Sequence, residues 1–169
     1  MLQNGTMTRV ILRSVEPAAE PGLARALLAV QRQAYAKEAD LIQDDRIPPL
    51  HEDLDALRSA PLLWVAAFDD EELLGAVAWT EEGSVVDVDR LVVAGTVHRR
   101  GVGTRLVTDV LRRADWRTTT VSTGRANVPA RRLYERLGFG LVGDREVLPG
   151  LWVTDYAYVP ALHGRHHGP

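Results

Sequence analysis

The stretch His98-Arg99-Arg100-Gly101-Val102-Gly103-Thr104 follows an apolar run, Val85–Val93 (VVDVDRLVV), and precedes an amphipathic segment. Where a strand turns into a helix, the first backbone N–H groups have no intrahelical partner and carry the positive end of the helix dipole, so they favour an anion. Glycines at 101 and 103 would let a phosphate approach the backbone without a Cβ in the way, while Arg99, Arg100 and Thr104 add donors. A pyrophosphate suits such a turn. A tight turn without a ligand is the simpler account of Gly-x-Gly taken alone. A dinucleotide fingerprint would need a third glycine where Leu106 stands, and a phosphate-binding P-loop needs Gly-Lys-Ser/Thr, which the turn lacks.

Outward from this turn, Val102, Leu106, Val107, Val110, Leu111 and Ala114 recur at helical spacing and predict an amphipathic helix. Upstream, residues 62–68 (LLWVAAF) and 73–80 (LLGAVAWT) predict a central hairpin across an acidic turn, and residues 8–15 a first strand. Two helices are expected between these strands. The first carries Leu23, Leu27, Val30 and Ala34 on one face; the second spans 51–59, after the proline-broken loop 44–50. Downstream, residues 118–123 (TTTVST) predict a strand. Asn127 can cap a helix over 128–137, and residues 139–148 and 151–159 form a closing hairpin about Pro149-Gly150. In Val85–Val93 the apolar positions change parity, from Val86 and Val88 to Leu91 and Val93. Either a bulge near residues 89–91 re-aims the strand, or the strand is buried on both faces.

This order predicts an α+β domain: a mostly antiparallel sheet of about seven strands flanked by about four helices, with one parallel step around the helix after the glycine turn. At 169 residues, with 46% hydrophobic and 25% charged residues, the chain reads as a single domain over 1–169, with 1–6 and 161–169 as flexible ends. The absence of cysteine excludes disulfides, thiolate nucleophiles and Cys-ligated zinc. A formal charge of −3 argues against nucleic acid as a partner, and no long apolar run or signal-like leader argues for a membrane, so a cytoplasmic protein is expected. His163, His166 and His167 read as tail residues, and no metal is expected.

Two motifs carry a resemblance. The turn at 98–106, preceded by Asp89-Arg90-Leu91-Val92-Val93, resembles the acetyl-CoA-binding segment of the GCN5-related N-acetyltransferase (GNAT) superfamily, Arg/Gln-x-x-Gly-x-Gly/Ala, with His98 departing from the first position. Asn127-Val128-Pro129-Ala130 through Tyr134 to Gly138-Phe139 is similar to the family's Asn-x-x-Ala-x-x-x-Tyr-x-x-x-Gly-Phe motif at every named position. The resemblance implies a splayed acetyl-CoA cleft beside Val85–Val93. Leu91, Val92 and Val93 would lie along the pantetheine arm, Arg99, Arg100, Gly101, Val102, Gly103 and Thr104 at the pyrophosphate, and Asn127, Ala130 and Tyr134 across the cleft. It further implies direct attack by an amine in a ternary complex, a backbone N–H near Val93 facing the thioester oxygen, and Tyr134 as general acid. Tyr134 otherwise reads as a core tyrosine. Asp89 is the candidate base with Asp87 in reserve, although both fit solvated strand positions equally well.

The expected acceptor is an amine of a small molecule or peptide. The acidic residues between Glu38 and Asp55 suit a cationic amine, while Tyr35, Trp64 and Trp152 suit an aromatic one. A non-catalytic acyl-CoA-binding module on the same fold is the alternative, and a homodimer is compatible with the family.

Overall fold

The computed structural model describes residues 9–95 and 101–160. In chain order the elements are β1 (Val10–Val15), α1 (Pro21–Ile42), a 3-10 turn (Pro48–Leu50), α2 (Leu54–Ser59), β2 (Leu63–Asp69), β3 (Glu72–Glu82) and β4 (Val85–Val93). They continue with α3 (Val102–Ala114), β5 (Thr118–Gly124), α4 (Val128–Arg136), β6 (Gly140–Leu148) and β7 (Leu151–Tyr158). The seven strands form one sheet in the order β1-β2-β3-β4-β5-β7-β6, antiparallel throughout except for β4 beside β5. The expected ends 1–6 and 161–169 lie outside the described residues, as do the three tail histidines.

Two apolar cores sandwich the sheet. On one face Val65, Val77, Val86 and Val88 pack against Leu106, Val107 and Val110 of α3 and against Tyr134 of α4. On the other, Trp64, Ala66, Ala76 and Val92 lie beneath Leu27, Leu28 and Leu57 of α1 and α2. Strands covered on both sides read as near-continuous apolar runs, which is why β2 and β3 show little alternation. Gly75 has no room for a side chain: a Cβ there would lie 2.6 Å from the Val92 carbonyl oxygen. Of the four tryptophans, Trp64 and Trp79 are buried, whereas Trp116 stands in solvent.

The phase change in β4 is resolved by its register. Ala78 pairs with Arg90 and Trp79 with Val88, so Asp89 is the extra residue of a bulge. Before it, Val86 and Val88 face the α3–α4 core; after it, Val92 faces the α1–α2 core while Leu91 and Val93 face the first. Beyond the bulge both faces are covered, so each alternative describes part of the strand.

The same strand opens the sheet. Its parallel pairing with β5 stops after Val88↔Val121, and the five remaining residues of β4 have no partner on that side. The Ala94 N–H donates to Leu74 O, toward β3, at 2.8 Å. Because successive strand amides alternate in direction, the Val93 and Leu91 N–H groups point the other way, into the gap.

Candidate active site

Two cavities meet at this gap, sharing Leu91 of β4 and Ala130 of α4. The first, about 440 Å³, is the groove at the start of α3, lined by Val93, Gly101, Val102, Gly103 and Thr104. Gly101 caps α3 in the left-handed region (φ 69°), and no side chain caps the helix, so its first N–H groups are left for a guest. Gly103 keeps the wall thin: a Cβ would contact Leu133, Leu91 and Val93 at 3.5–3.7 Å, and anything longer would extend into the groove. Lys37 of α1 and Arg136 of α4, which the sequence did not single out, add positive charge to the lining. His98, Arg99 and Arg100 lie outside the described residues. Val92 departs from the expectation. Its side chain is buried under α1, and it alternates with Val93, so neither its side chain nor its N–H faces the gap.

The second cavity, about 490 Å³, lies between the splayed strands, the end of α1, the 3-10 turn and the β6–β7 hairpin. Tyr134 lines it. The residue is only 4% exposed, yet its hydroxyl makes no hydrogen bond among the described residues. Burial, with a smaller contribution from Glu38, pushes its pKa above the ordinary phenol value. The ring also packs edge-on against Phe139 at 5.4 Å, so the core role and the cavity role coexist. Asn127 does two things as well: its side chain accepts the Ala130 N–H at 3.3 Å, capping α4, and it lines the cavity.

Asp89 reaches this cavity because the bulge turns it there, whereas Asp87 accepts a hydrogen bond from Thr120 Oγ1 at 2.6 Å and lines neither cavity. One oxygen of Asp89 is held by Arg90 Nε at 2.6 Å. Arg90 belongs to a buried network that the sequence did not reveal: its Nη1 donates to Glu52 Oε1 at 2.8 Å and to Gln31 Oε1 at 2.9 Å. Its guanidinium carbon lies 5.6 Å from the centre of the Trp64 ring. Burial opposes the charge on Arg90, but the carboxylates of Glu52 and Asp89 outweigh it and raise the pKa above the ordinary arginine value.

The acidic surround expected between Glu38 and Asp55 is largely consumed by structure. Asp44 pairs with Arg46, Asp53 caps α2 by accepting the Ala56 N–H, and Glu52 serves Arg90. Glu38 alone of these carboxylates lines the second cavity. Of the aromatic set only Tyr35 does so; Trp64 is buried beneath Arg90, and Trp152 lies under Arg125 at 4.7 Å. Among the described residues no group of three acidic, histidine or cysteine side chains could hold a metal, and no helix is long and apolar enough to cross a membrane.

Known proteins share this fold. A paia N-acetyltransferase from Thermoplasma acidophilum, solved in complex with coenzyme A, superposes with a TM-score of 0.71 over 89% of this chain and 99% of its own, at 13% identity. The UPF0157 protein YqkA of Bacillus subtilis is 29% identical over 142 residues, which are 83% of this chain but only 41% of that protein, so the chain spans less than half of that relative's length. The peptidyl-lysine N-acetyltransferase YjaB of Salmonella typhimurium is 32% identical over 72% of this chain and 79% of its own. Residues 21–139, from the start of α1 past the glycine turn to the end of the Tyr134 motif, match the profile of the Acetyltransferase (GNAT) family, and the chain is a member of that family.

Proposed function

We propose that the protein transfers the acetyl group of acetyl-CoA to a primary amine by direct attack in a ternary complex. The observation that carries this reading is the splay of β4 from β5 beyond Val88, which leaves unpaired N–H groups and the unpartnered hydroxyl of a largely buried tyrosine facing one gap. The residues at the groove suit the anionic substrate. The uncapped start of α3 and the cations Lys37 and Arg136 would take its phosphates, and Leu91, Val93 and Ala130 would flank the arm that leads to the gap. Membership of an acetyltransferase family and the name of the Salmonella relative support an amine as acceptor.

In the reaction the amine nitrogen forms a bond to the acetyl carbonyl carbon, and the carbon–sulfur bond breaks. The Val93 N–H is placed to stabilise the oxyanion. Tyr134, kept protonated by burial, gives its proton to the departing thiolate. The attacking ammonium gives one proton to Asp89 or to a water held there before it attacks, the second oxygen of Asp89 being left free by Arg90, and the proton that the nitrogen sheds as the amide forms restores the Tyr134 phenol.

Calorimetric titration with acetyl-CoA tests the reading. Wild type should bind at micromolar concentration and release thiol only when an amine is added, and Gly103→Glu should abolish binding while far-ultraviolet circular dichroism stays unchanged. Absence of binding to wild type would overturn the proposal. Tight binding without turnover, unaffected by Tyr134→Phe, would identify a non-catalytic acyl-CoA module instead.

A further inference from the structure

The second cavity also selects the amine. Resting on the acetyl-transfer reading above, we infer that the acceptor is a small free amine on an uncharged apolar body, and not a lysine within a polypeptide.

Three observations converge. The walls are apolar, formed by Ile42, Ile47, Pro48, Leu148, Leu151 and Val153. Polar capacity is concentrated where α1 faces β5. Tyr35 and Tyr134 are 9% and 4% exposed, and neither hydroxyl has a hydrogen-bond partner among the described residues. Glu38 bears electrostatically on both, as a secondary cause behind burial of their raised pKa values. Its carboxylate accepts one long hydrogen bond, 3.3 Å from the Gly124 N–H, and makes no ion pair among the described residues. An amine nitrogen supplies the donors that Glu38 and the Tyr35 oxygen lack, and an apolar body fills the rest without leaving a polar group unmatched.

The cavity offers nothing to a negative charge. Its two arginines are already engaged, Arg90 with Glu52 and Asp89 and Arg46 with Asp44, so a substrate carboxylate would find no unpaired cation there.

The third observation concerns access. Arg46 Nη2 donates to Asp44 Oδ2 at 2.7 Å and to the Pro149 carbonyl at 2.8 Å. This ties the connection after α1 to the turn of the β6–β7 hairpin, the two segments that wall the cavity. The hydrogen bonds from Arg46 hold the Asp44 carboxyl down to about 2, so the tie remains charged at any physiological pH. A polypeptide backbone lying between these segments would compete with this tie, which a small amine need not disturb.

Thiol release from acetyl-CoA should be measured on the full chain with 2-phenylethylamine and 3-methylbutylamine, against phenylalanine, spermidine and a capped lysine peptide. The apolar amines should exceed the others by about a hundredfold in kcat/KM, because unmatched polar groups are rejected at an apolar wall. Glu38→Gln should lower kcat/KM for 2-phenylethylamine at least tenfold while acetyl-CoA affinity by calorimetry stays within twofold. Arg46→Ala should raise the rate with the lysine peptide at least tenfold, and an unchanged rate would overturn the access argument. Equal or better turnover of spermidine or the peptide by wild type, or no turnover of either apolar amine, would overturn the inference. Because acetyl-CoA binding is read separately, loss of binding would refute the acetyl-transfer reading, whereas binding with turnover of polar acceptors alone would refute only the acceptor class.

Discussion

Replacing Arg90 by methionine should be the most informative change to the framework of the site. Methionine keeps an apolar stem of similar length but removes the hydrogen bonds to Glu52, Gln31 and Asp89, in a position where the arginine side chain is only 6% exposed. Removing one partner of a buried ion pair costs about 3–5 kcal/mol, largely because the other charge is left stranded. Here Asp89, with its side chain 39% exposed, can rehydrate, and Glu52 keeps a donor in Gln31 Nε2 at 3.1 Å. The loss should therefore fall at the lower end, about 3 kcal/mol, or about 9 °C in Tm for a chain of this size. Urea unfolding followed by fluorescence gives the number directly. Adding Glu52→Gln to Arg90→Met should recover about 1–2 kcal/mol, since the stranded charge is then gone. A single variant that loses less than about 1 kcal/mol, or a double variant no more stable than the single, would refute the view that Arg90 neutralises the largely buried Glu52 carboxylate.

Other consequences concern the tyrosines and one orphaned hydroxyl. Tyr134→Phe should leave Tm nearly unchanged, because the hydroxyl has no hydrogen-bond partner among the described residues to lose, while lowering kcat about a hundredfold in the thiol-release assay; equal kcat would exclude the general-acid role. Its raised pKa keeps the donor protonated, so the pH profile of kcat should show no descending alkaline limb below about pH 10. Tyr35 and Tyr134 both ionise less readily folded than unfolded, so their stabilising contribution is complete below the unfolded phenol pKa and is lost as pH rises above it. Stability measured by urea unfolding should fall above about pH 10 by up to about 1.4 kcal/mol per pH unit for each, a slope that Tyr35→Phe should reduce by that one contribution. Thr119 is fully buried and its Oγ1 has no partner among the described residues, so Thr119→Val should raise stability by about 1 kcal/mol in the same assay; a loss would mean that the hydroxyl is matched after all.

What the sequence determined by itself were features written in local spacing. The order of strands and helices, the α3 face of Val102, Leu106 and Val110, the Asn127 cap and the glycine turn all depend on neighbours within a few residues, and periodicity and turn chemistry encode them directly. The parity change between Val88 and Leu91 admitted either a bulge or burial on both faces, and only the pairing register showed that a bulge at Asp89 is followed by a stretch covered on both sides. Only the tertiary structure decided which side chains meet across the chain. Glu38 reaches Gly124 over 86 positions and Arg46 reaches Pro149 over 103, and no local pattern marks either encounter. For the same reason the acidic run before Asp55 looked like a surface for cations. Folding assigns three of its carboxylates, Asp44, Asp53 and Glu52, to Arg46, to the α2 cap and to Arg90, and places Glu38 at the cavity. Whether a carboxylate is spent on structure or left for a ligand depends on where its partner lies in space, and sequence spacing does not carry that distance.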